Sequence, residues 1–251
     1  MAEGDTILRL SRRLEAALGG EKLAVSAPNP RGRAAGVERL DGRRLDRAEA
    51  RGKHLLLHCG GLVLHSHLAM SGGWHLDRRG ASWRRARSQA WAVLASRGQE
   101  AVEFGGPTLR LLSASRLRLD PQLARLGPDI LAADFEPEPV VAAMRASPER
   151  GLGDALLDQT LVAGIGNIFK SEACFAARAN PWRPVGDLDD EELASVLLAA
   201  RGQMLDAVAR GRHPPAVYRR HGPCPNCGDR LSSRGQGDAN RTTYWCPRCQ
   251  S

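Results

Sequence analysis

The sequence predicts an α+β fold in four successive parts: an N-terminal helix, a β-rich domain, a helical domain and a small cysteine-bearing terminal ribbon. Three observations carry this. Apolar residues recur at helical spacing near the start. Short apolar runs cut by glycine dominate from Val37 to about Leu112 and yield to longer helical patterns after Pro121. Two C-x-x-C knuckles, Cys224-Pro-Asn-Cys227 and Cys246-Pro-Arg-Cys249, close the chain. At 251 residues, 42% hydrophobic and 25% charged, it can bury sizeable cores.

Each element has a local reason. Residues 5–18 place Ile7, Leu10, Leu14 and Leu18 on one stripe, with Asp5 or Thr6 available to cap the start and Gly19-Gly20 to stop it. The runs His54–His58 and Leu62–His65 flank Gly60-Gly61, as in a hairpin. Ala90–Ala95 and Ala101–Phe104 read as strands, and the basic stretch Ser82–Arg87 as a surface loop. Beyond the Leu126–Leu131 turn, helices are expected at 139–146, 154–160, 167–177 and 189–210. The last carries Leu193, Val196, Leu197, Ala200, Met204, Leu205 and Val208 as a core face and stops at His213-Pro-Pro215. The helix and β-rich domain together span 1–120, the helical domain 121–215 and the ribbon 216–251.

The knuckles lie eighteen residues apart, a spacing that sets four thiolates around one tetrahedral zinc. Cys59 and Cys174 stand alone and nothing N-terminal resembles a secretory signal, which argues against a disulfide framework. One structural zinc is expected, held by Cys224, Cys227, Cys246 and Cys249. No membrane-spanning run occurs. Thirty-six Lys plus Arg against 28 Asp plus Glu leave a net charge of +8, which suits a polyanion. Only Lys22, Lys53 and Lys170 are lysines, so a retained lysine hints at a need for an ammonium that can exchange a proton.

The segment Gln159-Thr-Leu-Val-Ala-Gly-Ile-Gly-Asn167-Ile-Phe-Lys170 can grip a phosphate. Gly164 and Gly166 admit positive φ, Asn167 can cap the next helix, and Lys170 adds charge one turn on. An ordinary glycine turn with an Asn cap accounts for the same residues.

Taken together, the opening Met-Ala-Glu3-Gly-Asp-Thr, Gly52-Lys53-His-Leu, His67-Leu-Ala-Met70-Ser-Gly72, Leu126-Gly-Pro-Asp129, the Gln159–Asn167 turn and the final ribbon resemble the formamidopyrimidine-DNA glycosylase and endonuclease VIII family in order and spacing. The resemblance spans essentially the whole chain. It implies a β-sandwich, a helix-two-turns-helix domain and a zinc finger, and a bifunctional DNA glycosylase and abasic-site lyase of base excision repair. It further implies Glu3 as the acid that assists base loss and Lys53 as a helper in strand cleavage. Met70 would be an apolar wedge where the nucleotide is everted, although a core methionine is the competing reading. Arg125 and Asn167 would touch the DNA backbone, and Lys170, read from the glycine turn rather than from the resemblance, is expected to neutralise phosphate with them. Arg241 would clasp the phosphate beside the lesion and assist the second elimination.

Position 2 departs from the pattern, because Ala2 stands where the family carries its nucleophilic proline. Removal of Met1 would still expose an α-amine, whose reference pKa of about 7.7–8.0 leaves much of it neutral at working pH. The competing reading is a catalytically impaired or inactive protein that binds lesions or abasic DNA. The short stretch Arg212–Gly222, where 8-oxoguanine readers carry a long capping loop, points to the endonuclease VIII-like branch and to oxidised pyrimidines. The expected partner is double-stranded DNA bearing oxidised bases or abasic sites, met by a monomer in the bacterial cytoplasm.

Overall fold

The computed structural model describes residues 2–213 and 215–250; Met1 of the opening motif and Pro214 of the helix stop lie outside them. The chain forms two compact units, one ending at Ala124 and one beginning at Arg125.

The first unit opens with α1 (Gly4–Leu18), which buries Ile7, Leu10, Leu14 and Leu18 as the stripe requires. Its cap corrects the sequence reading. Glu3 is the N-cap and makes no side-chain cap bond, while Asp5 and Thr6 lie inside the helix. The Ile7 amide donates to Glu3 O at 3.1 Å, so the first turn closes earlier than expected. There follow β1 (Ala24–Ser26), α2 (Pro30–Ala34), β2 (Arg47–Arg51), β3 (His54–Cys59), β4 (Leu62–His67), β5 (Gly73–Arg78), β6 (Ala92–Ala95), β7 (Gln99–Phe104), β8 (Thr108–Ser113) and the short helices α3 (Ala114–Arg118) and α4 (Pro121–Ala124).

Two antiparallel four-stranded sheets result, in orders β1-β6-β7-β5 and β2-β3-β4-β8. Leu55, Leu57 and Leu64 of one sheet, Trp74, Leu94 and Ala101 of the other, and the α1 stripe share a single core. The Gly60-Gly61 hairpin is realised with φ of +54° and +82°, the double positive φ that a two-residue turn demands. The strand β2, with sequence Arg-Ala-Glu-Ala-Arg, carries no strand signal of its own; pairing with β3 imposes it. The basic loop at 82–87 is more than surface, since Trp83 packs on Ala90, Val93, Val102 and Phe104 and donates its indole N–H to Glu100 at 2.7 Å.

Glu103 on β7 is an acid sealed in this unit, 0% exposed. One oxygen accepts from Ser66 Oγ at 2.6 Å, and Oε2 has no partner. Burial pushes its pKa up to about 8, against the small opposing pull of Ser66. Because the folded chain holds this proton more tightly than the unfolded chain, stability is full at acid pH and declines as pH rises from about 4.5 to about 8. Glu103→Gln is therefore expected to raise Tm by several degrees at pH 8 and to change it little at pH 5, read by thermal melts at both values.

The second unit contains α5 (Glu138–Met144), α6 (Leu152–Leu157), α7 (Asn167–Ala176), α8 (Asp190–Arg210) and the hairpin β9 (Ser232–Gln236) with β10 (Arg241–Trp245). Val141, Met144, Leu156, Phe169, Leu197 and Met204 lie in its core. A capping box between Asp189 and Glu192 starts α8. Two expectations shift. Leu205 is 39% exposed, because it sits about 100° round the helix from buried Met204, and Ala207 completes the core face instead. Helix α6 ends at Leu157 rather than Thr160, because the Asp158 carboxylate accepts from the Thr160 amide at 2.8 Å and turns the chain.

Candidate active site

On the first unit, the start of α1 brings residues 2 and 3 against the turn that follows β4. The Ala2 nitrogen donates to Ala69 O at 3.2 Å. That turn is tight: Ala69 adopts φ +47° and the Gly72 amide donates to Leu68 O at 2.9 Å. A Cβ on Gly72 would come within 2.9 Å of Gly105 O, so only glycine fits. Met70 at the tip is 67% exposed, which decides against a core methionine. Glu3 is 1% exposed, and Lys53 lies in the turn joining β2 to β3. Beside Ala2 is a hollow of about 270 Å³ lined by Thr6, Arg9, Arg13, Leu68, Gly72 and Trp74 among others. The Ala2 nitrogen, a buried carboxyl, a lysine in a turn and an exposed apolar tip thus belong to one compact unit.

Three histidines missed as site candidates lie on the same sheet. His54 and His67 are register partners on β3 and β4, and His65 pairs with Arg110 of β8. The alternating His-Ser-His at 65–67 was the available signal.

On the second unit, Arg125 and Arg241 are exposed, the latter as the first residue of β10. The glycine turn differs from expectation at two points. Gly164 has φ +109°, but Gly166 is extended and is itself the N-cap of α7. Asn167 is the first helical residue; its amide donates to Thr242 O at 2.8 Å instead of capping the helix. Its Oδ1 is buried with no hydrogen-bond partner.

Lys170 requires the largest correction. It is 0% exposed, and its ammonium donates to Thr243 Oγ1 at 2.6 Å. Thr243 in turn donates to Gln236 Oε1 at 2.6 Å, and Gln236 donates to Pro181 O at 2.7 Å. A cation so enclosed does not reach a phosphate at the surface; it ties α7 to the hairpin that carries Arg241. Glu172, two residues on, accepts the amides of Ala216, Val217 and Tyr218 at 2.7, 2.9 and 2.7 Å and clamps the approach to the ribbon. These long-range partners, more than forty positions away, left no mark in the local sequence.

The four knuckle cysteines gather with every Sγ within 4.8 Å of the others. Cys224 and Cys249 are 3.8 Å apart and Cys227 and Cys246 3.5 Å, too far for disulfides and close to the roughly 3.8 Å edge of a tetrahedron with zinc–sulfur bonds of about 2.3 Å. The donor set fits zinc. Cys59 and Cys174 are buried elsewhere, and burial pushes each thiol up to about 12, so neither is a ready nucleophile. No helix among the described residues is long and apolar enough to cross a membrane.

Comparison with known proteins agrees with this geometry. Residues 1–107 match the formamidopyrimidine-DNA glycosylase N-terminal domain, residues 126–215 the formamidopyrimidine-DNA glycosylase H2TH domain, and residues 222–251 a zinc finger found in these glycosylases and in isoleucyl-tRNA synthetase. The chain is 38% identical to a probable endonuclease 8 2 of Streptomyces coelicolor, over 100% of this chain and 94% of the relative. It is 35% identical to the DNA-(apurinic or apyrimidinic site) lyase Nei2 of Mycolicibacterium smegmatis, over 100% and 99%. The fold matches that of the Lactococcus lactis formamidopyrimidine DNA glycosylase bound to abasic-site DNA, with a TM-score of 0.86 at 23% identity over 99% of both chains. With three domain models in order along the chain and relatives aligned over its full length, the chain belongs to the formamidopyrimidine-DNA glycosylase and endonuclease VIII family, the glycosylase and abasic-site lyase enzymes of base excision repair.

Proposed function

We propose that this enzyme removes oxidised bases, pyrimidines foremost, from duplex DNA and then cleaves the abasic site by β- and δ-elimination, acting as a monomer in the bacterial cytoplasm. The Ala2 amine, exposed once Met1 is removed, attacks the sugar C1′. Glu3 supplies the proton as the glycosidic electron pair leaves with the base. The C1′–O4′ bond then opens, O4′ taking a proton, and the iminium so formed acidifies the C2′ hydrogen, whose loss expels the 3′ phosphate; Lys53 assists that proton movement. Met70 fills the vacated stack, Arg125 and Asn167 hold the backbone, and Arg241 holds the phosphate beside the lesion. Zinc, when bound by the four cysteines, stiffens the hairpin that presents Arg241.

The observation that carries this reading is the placement of the Ala2 nitrogen against Ala69, one residue from the exposed Met70, with Glu3 buried beside it. The pyrimidine preference is supported by the short stretch after α8, which Glu172 clamps by three amides where a purine reader would need a long mobile cap. The test is borohydride reduction on an oxidised-pyrimidine duplex and on an abasic duplex. A covalent adduct that disappears when the N-terminus is blocked is the expected result, with more adduct and faster excision from Ala2→Pro. An Ala2→Pro protein that binds both duplexes yet forms no adduct and excises nothing would replace this reading with a lesion-binding role.

Backbone contacts have a separate signature. Arg241→Ala is expected to lower the log–log salt slope of duplex binding by roughly 0.9. Asn167→Ala removes a neutral group and should weaken binding with less change in slope. Equal slopes for wild type and Arg241→Ala, measured by titration between 50 and roughly 200 mM salt, would remove Arg241 from the backbone.

A further inference from the structure

The imidazoles of β3 and β4 form a directed chain. Arg110 Nη2 lies 2.8 Å from His65 Nδ1, and His65 Nε2 lies 2.8 Å from His54 Nδ1. The guanidinium is itself fixed, by an ion pair from Nη1 to Asp120 at 2.9 Å and by donation from Nη2 to Gln122 Oε1 at 3.1 Å. A guanidinium only donates, so His65 Nδ1 must accept and carries no proton. Its proton therefore sits on Nε2 and is donated to His54 Nδ1. That leaves the His54 proton on Nε2, at the end of the chain. His54 is half-buried, so its ring is in part open to solvent. The same logic excludes a metal ion at His65, because a cation already occupies its acceptor nitrogen.

The position of that N–H gives it meaning. His54 directly follows Lys53, and its ring lies 4.7 Å from the ring of His67, its register partner. From His67 the strand runs into the turn that bears Met70 and accepts the Ala2 nitrogen. Resting on the function proposed above, we propose that His54 is an uncharged hydrogen-bond donor to a DNA phosphate oxygen beside Lys53, with its tautomer locked by Arg110 through His65. Arg110 and His65 are positioning residues in this scheme.

Neutrality is built in. Burial and then the neighbouring His65, His67 and Arg110 push His54 down to about 3, opposed only by Asp120. Burial and Arg110 push His65 down to about 4, and burial and Lys53 lower His67. With the groups acting on His54 being His65, His67, Arg110 and Asp120, no proton is taken up on this ring across pH 6 to 8, so the contact strengthens binding without counting as a released counterion.

The experiment uses the full chain and a duplex carrying a tetrahydrofuran abasic analogue. His54→Ala should weaken binding about tenfold or more, the loss of one hydrogen bond to a charged group, by the same factor at pH 6 and pH 8 and with an unchanged salt slope. Arg110→Met should weaken binding in the same direction, and nitrogen-15 spectra of the histidines should show His65 losing its fixed Nε2–H form. A loss confined to pH 6, or a shallower salt slope in His54→Ala, would mean a protonated histidine and overturn the proposal; so would unaltered affinity. If the wild type itself neither binds this duplex nor traps, the proposed function has failed, whereas normal trapping with an inert His54→Ala rejects this inference alone. Should Arg110→Met misfold, Arg110→Gln supplies the comparison, because its amide can present an oxygen to His65 as readily as an N–H and so releases the lock.

Discussion

Glu3→Gln is expected to lower base excision by about 10²- to 10⁴-fold, the range a positioned general acid contributes, while cutting a preformed abasic site at nearly the wild-type rate. The two substrates separate because only the first requires a proton for a departing base. The amide keeps the shape of the side chain, so the fold should survive the change. Steady-state rates on an oxidised-pyrimidine duplex and an abasic duplex, with a melting curve for each protein, decide the matter. Equal losses on both substrates would assign Glu3 to holding the sugar, and a lowered Tm would assign it to the fold.

Cys246→Ser is expected to empty the ribbon. Among the described residues its apolar cluster is Phe175, Val217, Cys224, Leu231 and Cys246 with a few half-buried neighbours, too little to hold a hairpin without metal. Structural zinc contributes apparent folding energies of about 10–16 kcal/mol in isolated fingers, so losing one ligand should release the ion and unfold residues from Cys224 onward. Elemental analysis should fall from one zinc per chain to almost none. Duplex affinity should drop with the loss of Arg241, and amide exchange in β3 and β4 should stay slow. Zinc-free wild type, or a Cys246→Ser ribbon still protected from exchange, would refute a metal-built hairpin.

Legibility in the sequence followed the range of the interactions. The α1 stripe, the Gly60-Gly61 hairpin, α8 and the knuckles are set by residues within a few positions of each other, and their patterns announced them. The strand β2 and the buried Glu103 are set by partners across a sheet, and nothing nearby marks them. The same split runs through the site. The proposed residues Glu3, Lys53 and Met70 and the clustered cysteines stand in short motifs, whereas the burial of Lys170 depends on partners, Thr243 and Gln236, on a hairpin some seventy residues later. His54 was visible only as part of a motif, since its tautomer depends on Arg110 and Asp120.

One helix face does more than pack. Asn167, Lys170, Ser171 and Glu172 of α7 reach Thr242, Thr243, the Tyr244 amide and the backbone at 216–218. Although a boundary between two family domains falls between residues 215 and 222, the finger of this chain is fitted to its own α7. Grafted onto a foreign scaffold it would bring its thiolates and leave behind the buried ammonium, amide, hydroxyl and carboxylate that complement its inner surface. The piece that can be exchanged between relatives as a working whole therefore begins at the glycine turn before Asn167 and runs through the last cysteine, with the long helix α8 carried inside it.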